Sequence, residues 1–212
     1  MGGLRVRSGR QLAYDYLKDT VLSDPSMQGQ FVNEQTLADE IGVSRTPIRE
    51  ALLLLAAEEL VQLVPKRGAY VAPISGREIR ELFELRGVVE CYAATRAVEL
   101  DEVPLETMRA ELAAQAAVDG DRAREFIEHD HRFHAALVRA VGNDMLTKTY
   151  EGLRARQVRA GVEALLGSDD RKQAVLAEHQ AIVDALAARD AAAATAAIEI
   201  HLKATRQVLL TA

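Results

Sequence analysis

The chain has 212 residues and a net charge of −6, from 26 basic and 32 acidic side chains; 49% of it is hydrophobic, 27% is charged and it has no tryptophan. That balance excludes a mainly disordered chain. The longest wholly apolar run, Ala51 to Ala57, is far short of the roughly 18 residues a membrane span needs. A lone cysteine, Cys91, forms no internal disulfide, so a soluble protein of the reducing cytoplasm is expected. Arg5, Arg7 and Arg10 imitate the basic start of a signal peptide, but Asp15, Lys18 and Asp19 stand where its apolar stretch belongs.

In chain order, the pattern predicts a helix over Gln11–Leu22, a loop at Asp24-Pro25-Ser26, and two short helices, Glu34–Ile41 and Ser44–Glu59. Leu60–Val64 and Gly68–Ala72 flank Pro65-Lys66-Arg67 as a β-hairpin. Pro73 marks a boundary between a domain at 1–72 and a second at 76–212. Beyond it almost everything reads as helix. Ser75 and Glu78 form a capping box opening a helix to about Leu100. Pro104 starts a second, Asp121 caps a third ending at Gly142, Asn143 begins a fourth to about Gly167, Ser168 opens a fifth, and Asp190 caps a sixth. Six helices joined by short turns imply an antiparallel bundle, so the fold class is mainly α, with a winged helix-turn-helix in front.

Charge is uneven between the halves. Residues 1–72 hold 8 basic and 9 acidic side chains, net −1, while the remainder carries net −5. Local footprints matter more for phosphate contact than the average. Between 33 and 52 each residue has a geometric task. Asn33 caps the first short helix, Leu37, Ala38 and Ile41 form its buried face, and Gly42 takes the sharp turn. Ser44 or Thr46 caps the next, and Pro47 is tolerated in its first turn. Ile48, Ala51 and Leu52 face inward, which leaves Arg45 and Arg49 on one outward face near the end that a recognition helix presents to bases. An Arg fork grips guanine O6/N7 or phosphate. The hairpin that follows places Lys66 and Arg67 on phosphate or in the minor groove, and Gly68 permits close backbone approach.

These residues, Gly42-Val-Ser-Arg-Thr-Pro-Ile-Arg-Glu-Ala-Leu52 with Leu60-Val61 and Pro65-Lys-Arg-Gly68, resemble the GntR-type bacterial transcription regulators. The resemblance implies a homodimer on an inverted-repeat operator in double-stranded DNA. It places Arg45, Thr46 and Arg49 in the major groove and the wing tip at Gly68 in the minor groove. Many relatives carry arginine where this chain has Gln35, so a contact there is weakened or changed.

The third helix of the second domain carries polar residues inside its apolar stripe. Measured from Asp130 at about 100° per residue, Phe126, Ile127, Phe133, Leu137 and Val141 fall within about 60°, and His134 sits about 40° away. An unpartnered carboxylate in a core is costly, and a metal resolves the conflict. His179 is enclosed in the same way by Val175, Leu176, Ile182, Val183 and Leu186, and His201 by Ala197, Ile198, Ala204 and Val208. Three helices thus aim metal-ligand side chains into one core. His129 and His131 lie at the stripe's edges and are expected on the surface.

Residues 78–210 resemble the all-helical FCD effector domain of the FadR-type branch of GntR regulators, in its shorter, six-helix form. Asp130-x-x-x-His134, then His179, then His201-Leu202 match its metal-site pattern. The resemblance implies one divalent metal held by Asp130, His134, His179 and His201, with open positions for water or a ligand carboxylate. Those ligands suit Zn, Ni, Mn or Fe alike. Arg86 also lies in an apolar stripe, one turn before Glu90. Two readings stay open for it: an internal pair with Glu90, or a cation that binds the other end of an organic acid. Asn143 either lines the pocket or caps a helix. The expected function is a metabolite-responsive, DNA-binding regulator, a repressor that takes a small carboxylate effector. The alternative is a metal-dependent helical-bundle hydrolase or lyase with a nucleic-acid arm, and a third reading gives the metal a purely stiffening role.

Overall fold

The computed structural model describes residues 8–22, 24–119, 122–165 and 169–211. Arg5 and Arg7, and the expected caps at Asp121 and Ser168 with the helix end at Gly167, lie outside the described residues. The chain divides into two compact units, Met1–Ile74 and Ser75–Ala212.

In the first unit, α1 (Gly9–Tyr16) runs on into a π-helical turn, Leu17–Val21. A two-residue strand β1 (Phe31–Val32) then leads into α2 (Glu34–Ile41), α3 (Arg45–Ala57), β2 (Gln62–Val64) and β3 (Gly68–Tyr70). Asn33 Oδ1 accepts from the backbone N–H groups of Gln35 at 2.8 Å and Thr36 at 3.1 Å, which satisfies two donors that the start of α2 leaves open. Gly42 ends α2 at φ +75°, a left-handed conformation that glycine adopts at little cost, and the chain turns there into α3. Ser44 occupies the N-cap position of α3 without a side-chain capping bond. Ala13, Leu17, Leu37, Ala38, Ile48, Ala51, Leu52 and Leu55 fill the core, which fixes α3 with its arginine face outward.

The three strands form an antiparallel sheet in the order β1-β3-β2, pairing Val32 with Ala69 and Leu63 with Ala69. β1 was not expected from the sequence. Two residues are too few to show alternation, and the strand exists because β3 offers it a ladder.

The second unit holds α4 (Gly76–Glu99), α5 (Leu105–Ala116), α6 (Ala123–Ala140), α7 (Asp144–Gly152), α8 (Arg154–Leu165), α9 (Asp169–Ala187) and α10 (Ala191–Thr211). Ser75 and Glu78 make both bonds of the capping box, and Asp190 Oδ1 accepts from Ala193 N at 2.9 Å. α4 and α10 pack antiparallel, with Gly76 against Leu210 and Gly87 against Leu202. α6 runs through the middle, packed on α4, α5, α7 and α8.

The expected fourth helix is two helices, and this corrects the six-helix reading. The break falls at Leu153, whose N–H turns to Tyr150 O at 3.0 Å instead of a carbonyl one residue further back. Gly152 is a poor helix former at that point. The bend lets Tyr150 on α7 and Gln157 on α8 both reach inward: Tyr150 is 1% exposed and Gln157 is 6% exposed.

Candidate functional site

Asp130 and His134 on α6, His179 on α9 and His201 on α10 are all buried, and each offers one nitrogen or oxygen such that all four atoms lie within 4.8 Å of one another. His134 Nε2 is 3.2 Å from His179 Nε2, and His179 Nε2 is 3.3 Å from Asp130 Oδ1. Phe133 stacks on the His179 ring with centroids 4.3 Å apart, a flat apolar backing for the imidazole.

The other nitrogen of each ring faces an acceptor on a different helix. His179 Nδ1 meets Gln115 Oε1 at 2.9 Å, and Gln115 spends its amide N–H on Phe126 O. His201 Nδ1 meets Glu178 Oε2 at 2.7 Å. His134 Nδ1 lies 2.9 Å from Glu90 Oε2, off the ideal hydrogen-bond direction, so that this oxygen has no well-aligned donor. His179 thus turns Nδ1 to Gln115 and Nε2 to Asp130 and to His134 Nε2, and His201 turns Nδ1 to Glu178, so each of these two rings has its second nitrogen left for the common centre. Acceptors at 3.2 Å repel one another unless a cation or proton lies between them. The donor set therefore fits a divalent ion of borderline softness.

The electrostatics agree. Burial lowers His179 to about 3, against the opposing pull of Asp130, so its ring stays neutral at ordinary pH. Burial lowers His201 too, with Glu178 opposing. Burial alone would raise Asp130, but the His179 ring 3.3 Å away and the imidazoles of His134 and His201 hold it well below the usual carboxylate range. A neutral imidazole and an ionised carboxylate are the forms a metal requires.

Arg86 Nε donates to Glu90 Oε1 at 2.7 Å, and Tyr150 Oη donates to the same oxygen at 2.8 Å. The internal pair considered for Arg86 is thus present, yet Arg86 also lines a small cavity beside Asp130 and His201, with Gln157, Arg171 and Thr205. This cavity of about 20 Å³ has room for a single water and no organic acid. Gln157 Nε2 is buried without a hydrogen-bond partner. Asn143 is exposed and does not line that cavity. Its Oδ1 accepts from Met145 N and Leu146 N at 3.0 Å, so it serves as the N-cap of α7.

His131 corrects the surface expectation. It is 3% exposed, its Nδ1 is 2.6 Å from Gln157 Oε1, and its ring stacks on Tyr150. α7 and α8 cover that side of α6, so the helix is buried well beyond a single stripe. His129 is half-buried and shares Glu111 with Arg132. Sequence reasoning missed Gln115, Glu178, Gln157 and Tyr150. A polar residue inside an apolar stripe was the available signal for Gln115.

In the first unit, Arg45 and Arg49 are more than half exposed, at 52% and 59%. Thr46 and Gln35 are exposed beside them, with the Gln35 amide donating to Asp39 at 2.9 Å. Lys66 and Arg67 are exposed at the tip of the wing. Arg67 is steadied 4.2 Å over the Phe31 ring. Gly68 sits at φ +96°, where a Cβ would come within 3.0 Å of Val32 O, so only glycine suits this turn. Together Asn33, Glu34, Arg45, Arg49 and the wing from Leu63 to Gly68 line a cleft of about 560 Å³. Among the described residues no helix is long and apolar enough to cross a membrane.

Comparison with known proteins gives matches over both units. The family model for bacterial regulatory proteins of the gntR family matches residues 10–71, and the FCD domain model matches residues 81–204. An HTH-type transcriptional regulator from an unstable DNA locus of Streptomyces ambofaciens is 34% identical, over 93% of this chain and 84% of its own length. The transcriptional repressor RspR of Escherichia coli K12 is 29% identical, over 91% of this chain and 85% of its own. Among solved structures, a GntR transcriptional regulator from Rhodococcus sp. RHA1 superposes with a TM-score of 0.81 at 22% identity. It covers 97% of this chain and 99% of its own, and that likeness is one of fold.

Proposed function

The chain belongs to the GntR family of bacterial regulatory proteins and carries an FCD domain, and on that premise we propose that it is a metal-containing, carboxylate-responsive repressor. Its family and relatives are transcription regulators rather than enzymes, which sets the hydrolase or lyase alternative aside. The observation that carries the proposal is a buried aspartate and three buried histidines whose ligand-type atoms all lie within 4.8 Å of one another, with Nδ1 of each ring beside an acceptor on another helix. Asp130, His134, His179 and His201 would hold a divalent ion. When bound, the ion supplies a Lewis-acidic anchor for an effector carboxylate. Zn, Ni, Mn and Fe all suit the ligands.

Arg86 and the orphan amide of Gln157 supply a charge and a donor for ligand oxygens on the cavity side. Because the cavity is water-sized, an organic acid enters only if the side chains around it move. That movement is the basis of the response, since a ligand shifts an equilibrium by its differential affinity for two states. Repression is read from relatives, RspR and the Bacillus subtilis gluconate operon transcriptional repressor, the latter 28% identical over 62% of its own length. Duplex binding rests on Arg45, Thr46, Arg49, Gln35 and the wing residues Lys66, Arg67 and Gly68, held on an inverted repeat by a homodimer.

The groove between α4 and α10 supports a second copy as partner. Val88 is 66% exposed there, beside Glu84, Glu199, Lys203 and Arg206, which make no ion pair among the described residues. A face with equal numbers of acids and bases around an apolar centre complements itself across a two-fold axis.

The experiment is a metal analysis of the purified chain followed by duplex binding, with and without chelator, across a panel of short organic acids. The proposal expects about one divalent ion per chain and at least one acid that weakens binding about tenfold or more. Duplex affinity that no acid alters would refute the carboxylate response. A metal-free protein with unaltered stability would refute the metal.

A further inference from the structure

Glu34 is the first residue of α2, and its carboxylate sits in the cleft between α3 and the wing. One oxygen, Oε2, accepts from both candidate base-reading arginines: Arg49 Nε at 2.7 Å and Arg45 Nη2 at 3.0 Å. An acid at the start of a helix serves the helix dipole wherever its side chain points. That role does not account for one carboxylate that collects both guanidinium groups of a DNA-facing surface. Nor is the arrangement a solvent-spread surface pair, because the Glu34 side chain is only 20% exposed while each arginine is more than half exposed.

The bonding pattern matters more than the charge count. Glu34 takes Arg49 at Nε, which leaves both Nη groups of Arg49 for another acceptor. On Arg45 it takes one Nη and leaves Nη1 and Nε. A guanidinium tethered in this way loses less rotamer freedom on meeting a base. A guanine edge is neutral and presents O6 and N7 to the remaining donors. A backbone phosphate taking the same donors would face the carboxylate at close range, like charge against like.

We propose that Glu34 is a positioning residue that determines specificity: it orients Arg45 and Arg49 toward base edges and disfavours their capture by phosphate. The inference rests on the duplex-binding reading above. Glu34 lowers non-specific affinity, and the arginines contribute to binding chiefly where a guanine meets them.

The test uses the full chain and a pool of randomised duplexes, from which the wild-type protein selects its preferred sequence. Binding of that duplex and of a scrambled one is then followed against salt for wild type, Glu34→Gln and Glu34→Asp. Glu34→Gln is expected to bind the scrambled duplex more tightly, to lose about tenfold of its preference for the selected one, and to steepen the salt dependence of scrambled binding by about one counterion. Glu34→Asp, which keeps the charge, is expected to retain most of the preference even if both variants melt earlier. Equal losses on both duplexes, with an unchanged salt slope, would make Glu34 a mere brace and overturn the proposal, as would an unaltered preference in Glu34→Gln. A wild-type chain that selects no sequence would remove the duplex-binding reading itself.

Discussion

Replacing Glu90 with glutamine separates two roles that the structure gives one carboxylate. Glu90 is fully buried, pairs with Arg86 at 2.7 Å, accepts from Tyr150 at 2.8 Å and lies 2.9 Å from His134 Nδ1. Burial alone would raise its pKa, but Arg86 and His134 keep it ionised far below the carboxylate range. Glutamine preserves the shape and one acceptor oxygen but removes the charge. Arg86, 5% exposed, is then a buried guanidinium whose remaining opposite charge is Asp130. Breaking a buried pair from one side costs about 3–5 kcal/mol. The attraction to Asp130 among the causes acting on Arg86 places the expectation near 3 kcal/mol. Independently, His134 loses the acid behind its ring, a change that typically lowers metal affinity about 10–100-fold. Chemical denaturation in chelator measures the first effect, and competition against a chromophoric chelator measures the second. A variant within about 0.5 kcal/mol of wild type and with unaltered metal affinity would refute both assignments.

In chelated protein, stability should fall on acidification through the histidines. Burial puts His179 at about 3 in the fold against an ordinary 6.5, so the unfolded chain binds more protons between those values. The contribution is complete above about pH 6.5 and is lost as pH falls toward 3, with a slope of at most about 1.4 kcal/mol per pH unit for this one group. Denaturation at pH 7, 6 and 5 checks this, and a flat profile contradicts it. Arg49→Ala should relax sequence preference by about 1–3 kcal/mol, whereas Lys66→Ala should weaken all duplexes alike; competition binding with selected and scrambled DNA tells them apart. Gly161→Ala would put a Cβ within 2.8 Å of Ile127 Cδ1 and Cγ2, an overpacking worth about 1–3 kcal/mol that a denaturant titration reads. Val88→Asp should dissociate the proposed homodimer in sedimentation without lowering helicity, and an unchanged mass would place the interface elsewhere.

Much of the fold was legible because local chemistry and global need coincide. Asn33, Gly42, Ser75 with Glu78 and Asp190 each mark a helix end by the bond or dihedral they supply. The polar quartet was legible because Asp130, His134, His179 and His201 each interrupt an apolar stripe. What stayed hidden depends on neighbours rather than on period. β1 exists because β3 pairs with it. The bend at Leu153 follows from what Tyr150 and Gln157 must reach. His131 looked marginal on a helical wheel, since a wheel shows one partner face and α6 has several. Gln115 and Glu178 carry no pattern that ties them to a ring 64 or 23 residues away.

The acceptors behind the three imidazoles sit on α4, α5 and α9, while the groups in front project from α6, α9 and α10. Five of the bundle's helices therefore meet at one knot. No ring can swivel without tugging a backbone that did not supply it. If the proposed acid response is right, mutations that deafen the protein to it are to be sought among the acceptors as much as among the rings.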